Sequence, residues 1–298
     1  MTSVSCHLLR IVGFALLILS YSGGAQATAI VDDRGTQLEF EAPHKRVVSL
    51  LPSLTETVCA LGACDRLVGV DRFSNWPESV RSLPKLGGLE DTRIESIVRL
   101  NPDLVLVSPA ARVIDRLEGL GLSVVALDAQ TISESRRVTE VVASLLGREV
   151  AAKKHHHETT IQLRQLVAQR PDQWDGARVY FEISDAPFAA GASSFIGELL
   201  RELHLVNVVP LELGPFPKLN PEFVVRARPD LVMGAGRQIS LMTQRPGWSA
   251  IPALKAGQTC GFDSEQFDVL SRPGPRLVEA MSALVTCLEQ LPTRSARP

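Results

Sequence analysis

The chain has 298 residues, which is enough for two ordinary domains. Apolar residues make up 45% of it and charged residues 21%, proportions typical of a packed globular protein rather than a disordered one. The formal net charge is −2, so no overall basic field indicates a nucleic-acid partner.

The N-terminal residues have the pattern of a signal peptide. Arg10 closes a short basic segment, and the apolar run that follows, residues 11–20, is too short to span a bilayer. Two Ala-x-Ala cleavage sites follow, ending at Ala27 and Ala29. We assign residues 1–29 to the signal peptide, with a retained membrane anchor as the alternative. The pattern predicts an exported protein located in the periplasm.

Four cysteines lie beyond the signal peptide, and an exported protein can oxidise them. Their proximity in sequence favours the pairs Cys59–Cys64 and Cys260–Cys287. Buried free thiols are the alternative. The sequence contains no Cys-x-x-Cys, so it does not support a zinc or redox motif.

The first lobe is predicted to be an α/β unit spanning residues 30–132. Helical stretches separate short apolar runs, and this alternation indicates a mostly parallel sheet covered on both faces. After the first run, Ser53 is followed three residues later by Glu56, which is the pattern of a helix capping box. The predicted strands are "RVVSL" (46–50), "RLVGV" (66–70), "DLVLVS" (103–108) and "SVVAL" (123–127).

Residues 133–172 are predicted to form a long bridging helical segment of one or two helices, well above the mean helix length. This segment contains the run "HHHE", His155 to Glu158. Consecutive helical side chains point about 100° apart, so three neighbouring imidazoles cannot converge on one ion. His155 and Glu158 could share a metal ion weakly, and a solvated helix face is the alternative. We predict no metal site.

The second lobe is predicted to span residues 173–298, with strands such as "RVYFEI" (178–183) and "DLVMGA" (230–235). It repeats a phrase of the first lobe: Glu-x-[Ile/Val]-Val-Arg-x-x-Pro-Asp-Leu-Val begins at both Glu95 and Glu222. Each copy predicts a short helix that ends before the proline and a buried strand after it. The repeat therefore indicates two similarly built lobes, unless it is a coincidence of a common α/β connection.

A search for catalytic motifs finds little. "GASSF" (191–195) is not Gly-x-Ser-x-Gly, and no phosphate-binding loop or dinucleotide fingerprint is present. Tyr180, the one tyrosine beyond the signal peptide, lies in a predicted strand and is poorly placed to ligate haem. A metal-dependent hydrolase that uses the histidine run is the weakest alternative. We predict a protein that is not an enzyme and carries no cofactor.

The loops are more informative than the motifs, because ligands bind at the strand ends of open α/β sheets. Phe73 and Trp76 lie in the loop after the second strand, and Phe216 lies between two prolines in the second lobe. Asp268 and Arg272 are four residues apart beside "RPGPR". Stacking groups in both lobes and one charged pair suit a flat, largely apolar organic ligand held between the lobes.

These residues resemble the class III periplasmic solute-binding proteins of ABC importers, the group for cobalamin, siderophores and haem. The resemblance is greatest to the cobalamin-binding branch, and it covers nearly the whole mature chain. It implies two Rossmann-like α/β lobes with mostly parallel sheets, joined by a long bridging α-helix, with a ligand cleft between the lobes. The motifs that carry it include "SLTE", "LVGVDRFSNWP", "IESIVRLNPDLV", "GASSFIGELL", "PFPKLNPEFVVRARPDLV" and "SRPGPR".

The resemblance also implies roles for particular residues. Glu95 and Glu222 match the acids that dock onto arginines of a dimeric permease, and the receptor would act as a monomer. Leu89 stands near the place where the cobalamin branch has a tryptophan, which weakens the case for intact cobalamin and leaves a related corrinoid or another chelate open. A receptor for a ferric siderophore and a sensor without a permease are left open as well. The implied ligand contacts are Pro52, Ser53, Phe73, Trp76, Gly88, Phe216, Asp268 and Arg272.

Overall fold

The computed structural model describes residues 27–41, 43–185 and 187–293, which form two α/β lobes joined by helices. The first described elements form an antiparallel hairpin of β1 (Ala27–Val31) and β2 (Gln37–Glu41). The signal-peptide prediction lies outside the described residues except for residues 27–29, which belong to β1. Within the described ranges, no helix has the length and apolar character needed to cross a membrane.

The N-terminal lobe is built on four parallel strands in the order β4-β3-β5-β6. All residues of β3, β5 and β6 are buried, as expected for a parallel sheet covered by helices on both faces. The strands are β3 (Val47–Ser49), β4 (Leu67–Val70), β5 (Leu104–Val107) and β6 (Val124–Ala126), and the helices are α1 (Pro52–Ala60), α2 (Ile94–Arg99) and α3 (Ile114–Gly119).

The predicted capping box at the start of α1 is wrong. Leu51 is the N-cap residue and makes no side-chain cap, and Pro52 is the first helical residue. Proline is favoured at this position because its missing N–H would have no helical partner there. Ser53 therefore lies inside the helix, and Glu56 is buried rather than folded back on the helix end.

The bridging segment consists of two helices, α4 (Ile132–Leu146) and α5 (Glu149–Gln169). They are separated at Gly147, whose left-handed backbone (φ 61°) ends α4. Helix α4 begins at the C-terminal lobe, where the Ile132 N–H donates to Glu198 (2.6 Å), and then packs on the N-terminal core. Helix α5 contacts the N-terminal core at Ala152 and the C-terminal core through Leu163 and Val167. Both helices therefore contact both lobes, and α5, which is about 30 Å long, is the longer of the two.

The C-terminal lobe has five strands, of which four are parallel in the order β9-β7-β10-β11. The strand β8 pairs antiparallel with β7. The strands are β7 (Arg178–Ser184), β8 (Phe188–Ala189), β9 (Val206–Asn207), β10 (Leu231–Ala235) and β11 (Thr259–Phe262). The helices are α6 (Phe195–Glu202), α7 (Pro221–Ala227), α8 (Gly236–Met242), α9 (Pro252–Lys255), α10 (Ser264–Ser271) and α11 (Leu277–Gln290).

The parallel strands of the two lobes have the same order. Reading β3 as the counterpart of β7 makes β4, β5 and β6 the counterparts of β9, β10 and β11. Each copy of the repeated phrase supplies the helix before the third of these strands, α2 before β5 and α7 before β10. The repeat therefore marks equivalent places in two similarly built lobes.

The Pro-Asp pair of the repeated phrase makes similar contacts in both lobes. The residue before each proline, Asn101 or Arg228, is left-handed with φ 45°. The Asp103 carboxylate accepts hydrogen bonds from the backbone N–H groups of Lys45 (2.8 Å) and Arg46 (2.9 Å), just ahead of β3. The Asp230 carboxylate accepts one from Arg178 N–H (2.8 Å), at the start of β7. Each aspartate thus anchors the neighbouring strand.

Candidate functional site

The N-terminal rim of the candidate site is formed where β3 and β4 end side by side. Asp71 follows β4, is 2% exposed, and accepts hydrogen bonds from the N–H groups of Phe73 (2.7 Å) and Ser74 (3.1 Å). Burial raises the pKa of Asp71 above its ordinary value, although the hydrogen bonds from Ser74 and Phe73 oppose this shift. The resulting turn leaves the Phe73 side chain 60% exposed. This loop therefore presents an aromatic ring to solvent, as the sequence predicted.

Gly88 packs against the Phe73 ring. A Cβ atom at Gly88 would lie 3.2 Å from Cε2 of Phe73, so the glycine allows close approach of the ring. The Gly88 N–H donates to the Asp91 carboxylate (2.9 Å), which also pairs with Arg72. The Arg72 guanidinium carbon is 5.7 Å from the centre of the Phe73 ring. Leu89, 40% exposed, follows this glycine.

The C-terminal lobe presents Phe216, which is 41% exposed. The loop that carries it is held to the segment around β8, because the carbonyls of Pro215 and Pro217 accept hydrogen bonds from Gly191 N–H (2.8 Å) and Ala189 N–H (3.1 Å). Gly191 cannot be larger, since its Cβ would lie 2.1 Å from the carbonyl oxygen of Gly214. Phe216 is therefore a surface ring on a tethered loop.

Arg272 joins the two lobes. It lies just after α10 in the C-terminal lobe, where it forms an ion pair with Asp268 (2.7 Å). Across the cleft it donates to the Glu56 carboxylate (3.0 Å), to Asn75 Oδ1 (2.8 Å) and to the carbonyl of Phe73 (3.3 Å). Asn75 returns a hydrogen bond to Asp268 (2.9 Å). The predicted polar pair Asp268–Arg272 thus lies at the lobe interface.

Arg276 forms a second connection between the lobes. Its guanidinium carbon lies 4.5 Å from the centre of the Trp76 ring, a cation–π contact. Its Nη1 is 3.7 Å from Glu56, and it also pairs with Glu279. Burial raises the pKa of Glu56, while the hydrogen bond and charge of Arg272 act in the opposite direction. Glu56 is therefore a buried carboxylate at the centre of an interlobe ionic cluster.

A cavity of about 200 Å³ lies beside this cluster. It is smaller than the roughly 300–1,000 Å³ that is common for small-molecule sites. Arg272 spans the lobe interface next to this cavity through its contacts with Glu56 and Asp268. The cavity is lined by Asn75, Trp76 and Arg81 from one lobe and by Ser264, Glu265, Asp268 and Arg276 from the other.

Several predicted site residues lie together at the lobe interface. Besides Trp76 and the Asp268–Arg272 pair, Ser53 on α1 faces Gly274, whose Cβ would lie 3.5 Å from the serine Cβ. Pro52 precedes it at the start of α1. The roles of these residues in ligand binding remain predictions.

Three residues of the cluster were missed by the sequence reasoning: Glu56, Asn75 and Arg276. All three lie within motifs that were recognised, "SLTE", "DRFSNWP" and "RPGPR". Because Glu56 was interpreted as a capping residue, the sequence did not indicate that its carboxylate is buried and pairs with arginines. A buried acid in one lobe that faces two arginines of the other is recognisable only once the lobes are assembled.

The two proposed docking acids are exposed. Glu95 and Glu222 are each the second residue of their helices, α2 and α7. Asn220 caps α7 by accepting a hydrogen bond from the Glu222 N–H (2.9 Å). Each lobe thus offers one solvent-accessible carboxylate at an equivalent position.

Both cysteine pairs favoured from the sequence are bonded in the structure. Cys59 and Cys64 join the end of α1 to the turn that follows, within the N-terminal lobe. Cys260 and Cys287 join β11 to α11, within the C-terminal lobe.

The histidine run is only partly a solvated face. His157 and Glu158 are exposed, but His155 and His156 are half-buried. His155 on α5 and Pro275 in the loop carrying Arg272 and Arg276 line one small cavity. Burial lowers the pKa of both half-buried histidines. Within the part of the chain that the structure describes, no group of three or more metal-ligating side chains converges.

Two lobes with matching parallel sheets, two bridging helices and an ionic cluster between the lobes are the architecture of a two-lobed solute receptor. The model of the family described as "Periplasmic binding protein" matches residues 47–265. The chain belongs to this family, so it is a binding protein and not an enzyme. The predicted fold class and the predicted family are both confirmed.

Individual relatives differ in what they are named for. An ABC transporter substrate-binding lipoprotein of Bacillus subtilis is 29% identical over 266 residues, covering 85% of this chain and 83% of its own length. A vitamin B12-binding protein of Vibrio cholerae is 25% identical over 252 residues, covering 83% and 90%. The crystal structure of a possible iron-binding periplasmic protein of Staphylococcus epidermidis superposes with a TM-score of 0.73 at 26% identity, covering 84% of this chain and all of the other.

Proposed function

We propose that this protein is a periplasmic receptor that binds a cobalamin-like corrinoid in the interlobe cleft and delivers it to an ABC importer. The observation that carries the proposal is Trp76 at the polar interlobe cluster, with Phe73 exposed on the same loop and Phe216 exposed on the other lobe. A corrin offers a flat macrocycle to such rings and peripheral amides to Asp268 and Arg272. The similarity to a vitamin B12-binding protein supports this choice.

A second candidate is a receptor for a ferric siderophore or another iron chelate. The structural likeness to a possible iron-binding protein favours it. A haem receptor that uses tyrosinate is less well supported, because Tyr180 is buried in the sheet and donates to Glu182 (2.9 Å). Burial also raises the pKa of Tyr180, which opposes formation of the tyrosinate.

A titration decides between these ligands. Cyanocobalamin, cobinamide and a ferric trihydroxamate are each added while tryptophan fluorescence is followed, with Trp76 at the cleft as the responsive residue. We expect saturable quenching by a corrinoid. Phe73→Ala should weaken that binding about threefold to tenfold, because an aromatic contact contributes roughly 0.5–1.5 kcal/mol.

Leu120→Ala is the matched control, since it removes an exposed apolar side chain (58% exposed) after α3. Its affinity for the corrinoid should equal that of the unmodified protein. Saturable binding of the ferric chelate without corrinoid binding would replace the proposed function by the second candidate.

Docking onto the permease is tested separately. Glu95→Ala with Glu222→Ala should abolish transport of the bound corrinoid in vesicles that contain the permease, because each carboxylate is proposed to pair with a guanidinium group. The paired control Glu39→Ala with Glu202→Ala removes one exposed acid from each lobe. Unimpaired transport by the Glu95/Glu222 variant would contradict the docking role of these acids, and failure of the unmodified protein to support transport would favour a sensor without a permease.

A further inference from the structure

The arginines at the cleft already have partners in the described part of the chain. Arg272 is bound by Glu56 (3.0 Å) and Asp268 (2.7 Å). Arg276 is shared between Glu56 (3.7 Å), Glu279 and Glu265 (3.9 Å). In this cluster, four carboxylates therefore surround two guanidinium groups.

Three cations of the N-terminal rim are also engaged. Arg72 pairs with Asp91, and Arg81 donates through Nε to the carbonyl of Asn75 (2.9 Å). Lys85 donates to the carbonyls of Ser74 (2.6 Å) and Val80 (3.2 Å). An anionic ligand that approaches any of these five cations must compete with the partners that each already has.

Glu56 has the central place in this arrangement. It belongs to the N-terminal lobe, is 1% exposed, and uses Oε1 to contact both Arg272 and Arg276 of the other lobe. Its other oxygen, Oε2, is buried and has no hydrogen-bond partner within the described residues. A buried, half-satisfied carboxylate is costly for folding, so a contribution to stability does not account for it.

We infer that Glu56 is a specificity-determining residue that makes the cleft select chelates with uncharged peripheral groups, such as amides, over anionic chelates. A carboxylate ligand that draws Arg272 away leaves the buried Glu56 with only the longer contact to Arg276 (3.7 Å), which is unfavourable. An amide can instead accept from a free donor of Arg272 and donate to Asp268 while the Glu56 pair stays intact. The inference rests on the proposed function only in taking the cleft as the ligand site.

The test uses two ligands of nearly the same shape. They are cyanocobalamin and its monocarboxylic acid, in which one peripheral amide has been hydrolysed to a carboxylate. The unmodified protein should bind the amide form at least about tenfold more tightly. In Glu56→Gln, which keeps the side-chain size but removes the charge, this ratio should fall toward one or reverse, because the arginines become available to the anion.

Glu39→Gln is the matched control, because it removes an exposed carboxylate in β2 and should leave the ratio unchanged. Folding of each variant is checked by circular dichroism. Glu279→Gln is used in addition, because the Glu279 side chain is 51% exposed and its replacement is the milder change. It releases one partner of Arg276 and should shift the ratio in the same direction by a smaller factor.

Failure of the proposed function is distinguishable from failure of this inference. If neither corrinoid binds, the proposed function is wrong, and the same variants are measured with an uncharged ferric trihydroxamate against a polyanionic ferric tricatecholate. Preference of the unmodified protein for the uncharged member, lost in Glu56→Gln, supports the inference with either pair. Preference for the anionic member, or a ratio that Glu56→Gln leaves unchanged, overturns it.

Discussion

Asp103 and Asp230 show how one residue in each lobe fixes the start of a sheet. The Asp103 carboxylate accepts hydrogen bonds from N–H groups just before β3, and the Asp230 carboxylate accepts one from the first residue of β7. A carboxylate in this position holds donors that lie outside the regular strand ladder, which favours one register for the parallel pair. The repeated sequence therefore stabilises the sheet of each lobe through its aspartate, in addition to placing an exposed glutamate on each lobe.

We expect Asp103→Ala and Asp230→Ala each to lower the free energy of unfolding by about 1–2 kcal/mol, because each removes charged hydrogen bonds that are partly exposed to solvent. Urea unfolding followed by circular dichroism measures the change. Asp115→Ala, at an exposed position of α3, is the control and should stay within about 0.5 kcal/mol. Losses no larger than that of the control would contradict the anchoring role.

Glu56 shows why part of the site could not be predicted. The local pattern Ser-x-x-Glu matched a capping box, but Pro52 begins the helix earlier and moves Ser53 into it. The partner of Glu56, Arg272, lies 216 residues away in the chain. Phe73 and Asp268–Arg272 were predicted from their loops, whereas a contact between lobes depends on how the finished lobes meet.

At the scale of the elements, the break between α4 and α5 depends on Gly147. Its backbone is left-handed, and an added Cβ would also lie 3.3 Å from Cβ of Pro43. We expect Gly147→Ala to lower the free energy of unfolding by about 1–2 kcal/mol, because alanine is strained in that conformation. Urea unfolding is the measurement.

Gly119→Ala is the matched control for this substitution. Gly119 lies in α3, and an added Cβ meets nothing within 4 Å. The alanine should be neutral or stabilise the protein by up to about 1 kcal/mol, since glycine is a poor helix former. Equal effects of the two substitutions would show that the left-handed turn does not matter for stability.

Long, buried elements were predicted and short ones were missed. The strands β3 to β7 and β10 lie where apolar runs indicated them. The strands β8 and β9 have two residues each, too few to show a period. The hairpin β1–β2 was missed in part because residues 27–29 were assigned to the signal peptide. The strands β8 and β9 are defined by their pairing with β7, and β1 and β2 are defined by their pairing with each other.

For the molecule as a whole, α5 limits how the lobes can move. It packs against both cores, so a ligand that opens the Arg272 contacts must rotate the lobes about a stiff connection. We expect cyanocobalamin to change the radius of gyration in small-angle X-ray scattering by less than about 1 Å. A change of several ångströms would show that the bridge bends or that the lobes separate.

The two disulfides have a consequence at this same scale. Each closes a loop inside a single lobe, Cys59–Cys64 in one and Cys260–Cys287 in the other. Disulfide formation therefore stiffens each lobe separately, and neither disulfide links one lobe to the other. A reducing environment would loosen each lobe separately, while the motion of the lobes relative to each other would still be limited by the two bridging helices and the interlobe ion pairs.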